Sequence, residues 1–175
     1  MAALSRSRRA AAGIAFLVAG ALIALGIVLG YAGVAVLGYW PSLLAYLAIA
    51  VGFVILAIGS VANVVARIAL IVGAVGWFVV ATAPLLPGLP GPIGTVALLA
   101  AAAGGIVGSI VLYTGKEITD RSAAFFIGTT IVAAVLLLLP LIGIVDVVFF
   151  LLLSVLLAAG LIVTGVLFRR VQRGR

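Results

Sequence analysis

Thr114–Arg121, reading TGKEITDR, is the one place inside this chain where charges cluster, and the sequence on either side is hydrocarbon-like for about twenty residues. A charged side chain at the centre of a bilayer costs about 2.5–3.5 kcal/mol even on the most lenient insertion scale. Lys116, Glu117, Asp120 and Arg121 are therefore expected in water at a membrane face, with the helices counted outward from them. A helical turn through this loop would let Glu117 pair with Arg121 at i, i+4.

Composition sets the class. The chain is 67% hydrophobic and 7% charged, with a mean hydropathy of +1.58, against about 45–50% and about 25% in soluble domains. So few polar groups cannot cover a water-soluble fold of this length. The net charge of +7 does not point to nucleic acid, because Lys and Arg lie only between apolar spans rather than along one folded surface. Cysteine and histidine are absent, which removes thiolate and imidazole chemistry.

In chain order, Arg6, Arg8 and Arg9 precede an apolar run from Ala10 to Leu37 that is longer than the 7–15 residues of a signal-peptide core, so a retained helix is expected. Tyr39, Trp40, Pro41 and Ser42 are expected as the first outer turn. Further spans are expected at 42–65, 68–83, 93–113, 122–139 and 146–168. The proline-rich segment Pro84–Pro92 is expected as a stiff outer loop. The domain plan is a basic N-terminus at 1–9, a transmembrane domain at 10–168 and a basic tail at 169–175.

Six spans place both termini and the polar breaks on one side, which then carries all ten basic residues. By the positive-inside rule that side is cytoplasmic. The expected fold is an all-α, polytopic six-helix bundle of three up-down hairpins in a cytoplasmic (inner) membrane. A weak internal repeat relates Ala102–Val107 to Ala158–Val163 and Pro84 to Pro140.

Helix-packing candidates follow from small residues at i, i+4: Gly26 with Gly30, Gly104 with Gly108, and Gly105 with Ser109. Arg169, Arg170, Arg173 and Arg175 are candidates for contact with lipid headgroups. Asp146, just ahead of Val147–Leu153, reads as a helix N-cap, with an ion site as the alternative. For Ser109, Thr129, Thr130, Ser154 and Thr164 the first reading is a hydrogen bond to their own helix backbone.

Catalysis requires a nucleophile with a base, paired carboxylates or a held metal. The chain has three acids, one lysine and no histidine, so no enzyme, cofactor or metal is expected. The partners expected are the lipid bilayer and a larger membrane complex or a second copy of the chain.

The Arg-led helices, each turning near a proline into a Gly-rich returning helix, resemble the HdeD-like family of small six-helix bacterial membrane proteins, through Arg67, Gly73, Gly76, Pro84 and Gly104. The resemblance spans Arg9–Arg170 and implies an association with acid stress, with no active-site residues to carry over. The expected function is a non-catalytic accessory, assembly or stress-related role. The alternative is a small channel or transporter for an uncharged or lipidic solute.

Overall fold

The computed structural model describes residues 5–60, 63–86, 88, 91–143 and 146–170. Six α-helices run α1 Arg6–Tyr31, α2 Ala35–Gly59, α3 Val64–Thr82, α4 Gly91–Thr114, α5 Asp120–Leu138 and α6 Val147–Arg170. All six are long and apolar enough to cross a membrane. Each packs on its neighbours in sequence, and α6 returns against α1, so the three hairpins close into a ring. One end of that ring, the arginine-rich end, gathers the start of α1, the α2–α3 and α4–α5 connections and the end of α6.

In lipid, apolar surface does not drive helices together, so the seams depend on close backbone approach. A methyl built on Gly104 would meet the backbone of Gly73 and stand 2.6 Å from the Ala69 carbonyl oxygen. On Gly108 it would stand 2.7 Å from Leu70 Cδ2, whereas Gly105 has room at 3.4 Å from Phe53 and Thr130. A second seam closes the ring: Gly13 lies on Gly165, and Gly20 lies on the carbonyl of Ala158, which a built methyl would meet at 2.7 Å. The expected Gly26–Gly30 seam is corrected. Gly30 has open space around it, with nothing within 4 Å of a built methyl, and Gly26 lines a cavity. Both lie toward the end of α1 opposite the arginine-rich end, where the helix has no close neighbour at Gly30.

The second and third hairpins repeat without insertion. Their boundaries fall at one offset, Val64 to Asp120, Thr82 to Leu138, Gly91 to Val147 and Thr114 to Arg170. A 3-10 turn follows α3 at Ala83–Leu85 and another follows α5 at Leu139–Ile142. Their entry dihedrals agree, with φ −91° and ψ −17° at Thr82 and φ −92° and ψ −21° at Leu138. In both, a proline occupies an early position where its missing N–H costs little.

The first hairpin differs from the sequence expectation. Tyr39, Trp40 and Pro41 lie inside α2, and the outer turn sits earlier, at Ala32–Val34. Gly33 adopts φ +75°, and the Val34 N–H bonds back to the Leu29 carbonyl at 3.1 Å. That six-to-one bond around a left-handed glycine terminates α1. Arg6, Arg8 and Arg9 form the first turn of α1 rather than preceding it. The sequence places the helix later because its apolar run begins only at Ala10, while the three arginines stand at a helix start where the dipole disfavours cations. The Pro84–Pro92 segment is likewise partly helical, since Pro84 lies in a 3-10 turn and Pro92 in the first turn of α4; Pro87 and Pro90 lie outside the described residues.

Asp146 precedes α6, and its Oδ1 accepts a hydrogen bond from the Phe149 N–H at 2.8 Å. This is the geometry of an N-cap. Asn63 does the same for α3, accepting from the Ala66 N–H at 3.1 Å.

Candidate functional site

Inside the ring, helix periodicity brings one phenylalanine from each of four helices to a common level. Phe16, Phe53, Phe126 and Phe168 are each no more than 2% exposed. Phe16 contacts the other three rings at centroid separations of 6.1, 5.5 and 6.0 Å, and Phe126 contacts Phe53 and Phe168 at 6.0 and 5.6 Å. Such pairs contribute about 0.5–1.5 kcal/mol each beyond burial. The cavity beside them, lined from all six helices, holds about 10 Å³. One water needs at least that much, roughly 10–15 Å³. The axis is therefore filled.

Hydroxyl groups sit beside the aromatic cluster. Ser109 Oγ lies 3.1 Å from Thr130 Oγ1, joining α4 to α5, and Thr129 Oγ1 lies 3.4 Å from Thr164 Oγ1, joining α5 to α6. Ser109 also bonds to the Ile106 carbonyl and Thr130 to the Ile127 carbonyl, each at 2.9 Å. Each hydroxyl has one proton, so one of the two must give up its backbone bond to donate to the other. Thr129 and Ser154 bond to the carbonyl four residues back, at 2.7 and 2.8 Å. In the half of the ring away from the arginine-rich end, a cavity of about 170 Å³ is bounded by Gly26, Ser42, Tyr46 and Ser154, with the Tyr46 ring tilted against Trp77 at a centroid separation of 5.3 Å.

The arginine-rich end holds the feature that the sequence did not reveal. Glu117, expected in water, is 5% exposed. It is buried by the way α4 ends. Lys116 takes φ +56°, the region that glycine usually occupies at a helix end. The Glu117 N–H then bonds to the Leu112 carbonyl at 3.0 Å, which turns the side chain inward. Ser60, at the end of α2, donates to Glu117 Oε1 at 2.9 Å. Arg9 of α1 donates to the Glu117 backbone carbonyl at 3.1 Å. Glu117 does not pair with Arg121, because α5 starts only at Asp120 and no helical turn joins the two.

Three helix ends and one loop are thus tied through a single residue. Glu117 Oε2 has no hydrogen-bond partner among the described residues. Burial pushes the Glu117 carboxyl above its ordinary value, and the Ser60 hydrogen bond opposes that shift. A raised folded value means that the folded state holds the proton more tightly than the unfolded chain does, so its stabilisation is full below the ordinary carboxylate range. It is lost as pH rises through the raised value. Glu117→Gln keeps an oxygen for Ser60 but cannot ionise. The difference in thermal midpoint between wild type and Glu117→Gln in detergent should move against wild type as pH rises above the ordinary carboxylate range; a difference that moves the other way would contradict burial as the dominant cause.

Of the arginines expected at headgroups, Arg169 and Arg170 form the exposed last turn of α6. Arg173 and Arg175 lie outside the described residues. Among the described residues, no cluster of acids could hold a metal ion. Compared with known proteins, the chain matches no family model, no curated protein and no solved structure.

Proposed function

We propose that this chain is a non-catalytic integral protein of a bacterial-type cytoplasmic membrane, with both termini and the arginine-rich end in the cytoplasm, serving an accessory, assembly or stress-related role. The observation that carries this reading is the filled axis. Four phenylalanine rings pack together across the ring, and the cavity beside them holds about 10 Å³, at the lower limit for a single water, which supports a bundle without an open channel at that level. A lack of histidine and cysteine, with only three acids, supports a role without catalysis. The placement of the basic residues supports the orientation. The resemblance to the HdeD-like family supports a stress-related role in particular.

A second reading, transport of an uncharged or lipidic solute, is favoured by one observation. The outer cavity of about 170 Å³ opens beside Ser42, Tyr46 and Ser154. The two readings separate after purification in mild detergent. The accessory reading expects a stoichiometric membrane partner or a larger assembly, and no solute flux from the isolated chain in liposomes. Flux through the isolated chain would reject it in favour of transport.

A further inference from the structure

Between α2 and α3, on the outer wall of the ring, lies a groove of about 520 Å³, within the roughly 300–1,000 Å³ of small-molecule sites. Its floor is made by Ala50 and Ala74, whose small side chains keep the two helices from filling the space. Val51 and Val54 from one helix and Val75 and Phe78 from the other form walls that are exposed to about half their surface. Apart from a trace of polar surface the groove is hydrocarbon.

What lies at its inner mouth decides the occupant. On α3, residues 67, 71, 74, 75 and 78 fall on one helix face, because four residues advance the helix by little more than a turn. Arg67 is thus the next exposed member of the groove stripe, about 6 Å inward of Ile71. Side chains in a helix lean toward its N-terminus, which for α3 is the arginine-rich end, so the Arg67 guanidinium leans away from the hydrocarbon and toward headgroup depth. On α2 the stripe of Val51, Val54 and Ile55 continues to Ile58. The Ile58 carbonyl accepts a hydrogen bond from Arg8 Nη1 at 2.8 Å, which brings a second cation to the inner end of the same helix pair. The groove itself begins about 10 Å above the start of α3. An apolar trough within the hydrocarbon layer, with guanidinium groups one turn below it, matches an acyl chain joined to a phosphate.

We propose that the α2–α3 groove is a binding site for one anionic phospholipid, with an acyl chain along Val51, Val54, Val75 and Phe78 and the phosphate held at Arg67. This rests on the membrane-spanning reading but not on its sidedness. A chain that does not span would fail to enter nanodiscs at all, whereas failure of the site alone leaves a protein that enters nanodiscs and shows no lipid preference.

The test is retention of lipid by the purified full chain taken from nanodiscs containing equal phosphatidylglycerol and phosphatidylcholine, counted per protein by mass spectrometry. The expected result is preferential retention of phosphatidylglycerol, reduced about five-fold by Arg67→Gln, the factor for one lost cation near an anionic surface. Arg67→Lys should restore most of it. Val75→Trp, which fills the groove from an exposed position and leaves the ring interior alone, should remove retention of the acyl chain. Arg170→Gln, at the same end but on α6, should leave it within two-fold. Equal retention of the two lipids overturns the proposal, as does an equal loss in Arg67→Gln and Arg170→Gln, which would mean diffuse surface attraction. Disulfide cross-linking between two Val75→Cys chains would assign the groove to a second copy and overturn it as well.

Discussion

Gly104→Ala should destabilise the protein by about 1–3 kcal/mol, the range for forcing one added carbon into a close-packed contact, while Gly128→Ala should leave it unchanged or stabilise it by up to about 1 kcal/mol. Both glycines lie in helix interiors and both substitutions add one methyl. The difference is what that methyl meets. At Gly104 it meets the backbone of Gly73 and the Ala69 carbonyl, which cannot rotate aside; at Gly128 nothing lies within 4 Å. Relief at Gly104 requires α3 and α4 to separate. Separation loosens Gly76 against Ala97 and Gly108 against Leu70 along the same seam. Because lipid replaces lost apolar contacts at little cost, the penalty comes from close packing, and larger residues at Gly104 should exceed that of alanine. Thermal unfolding in detergent measures the pair. A Gly104→Ala protein as stable as Gly128→Ala would mean that the α3–α4 seam is not a close backbone contact.

Element number and type were legible in the sequence because each span is a long apolar run bounded by charge or proline, whereas the common helix boundaries of the two later hairpins were hinted at only by the weak match of Ala102–Val107 to Ala158–Val163 and of Pro84 to Pro140. The cap at Asp146 was legible because an acid directly ahead of an apolar run is placed to accept from the free N–H groups of a helix start, although the same residue also read as an ion site. Gly104 and Gly108 were visible as an i, i+4 pair. The seam that closes the ring was not. Gly13 and Gly20 are seven residues apart, as are Ala158 and Gly165, so the signal is a two-turn spacing split between the first and last helices. The outer turn of the first hairpin was missed because Gly33 is one of 22 glycines, while Pro41 and its aromatic neighbours carried a stronger but misleading turn signal. Pro41 instead lies inside α2, six residues after its start at Ala35 and past the first turn, so the helix carries it with one intrahelical hydrogen bond lost.

Glu117 is the instructive failure. A charge in a polar loop is normally solvated, and its neighbours Lys116, Asp120 and Arg121 are all exposed. What buries Glu117 is a positive φ at Lys116, which a lysine does not advertise. Its partners Ser60 and Arg9 lie in two other polar breaks, far off in the chain but at the same end of the ring. Placing every polar break at one end does bring them within reach, so the pairing was available in principle as a question of topology. Its burial was not.

The central claim is that six helices cross a membrane with the arginine-rich end inside, and the chain's lack of cysteine permits a direct test. Leu86 follows the 3-10 turn after α3 and Ile142 ends the one after α5, and both are more than half exposed. Thr119, between α4 and α5, is exposed at the opposite end. Single cysteines at these three positions, probed on intact cells with a membrane-impermeant maleimide, give an all-or-none readout. The hydrocarbon core is about 30 Å thick, and α4 alone, with 24 residues, spans about 36 Å at 1.5 Å per residue, so no intermediate depth satisfies both ends. Labelling of Leu86→Cys and Ile142→Cys in intact cells, with Thr119→Cys labelled only after the cytoplasmic face is opened, is the predicted result. Labelling of Thr119→Cys in intact cells, with Leu86→Cys and Ile142→Cys protected until the membrane is opened, would contradict it.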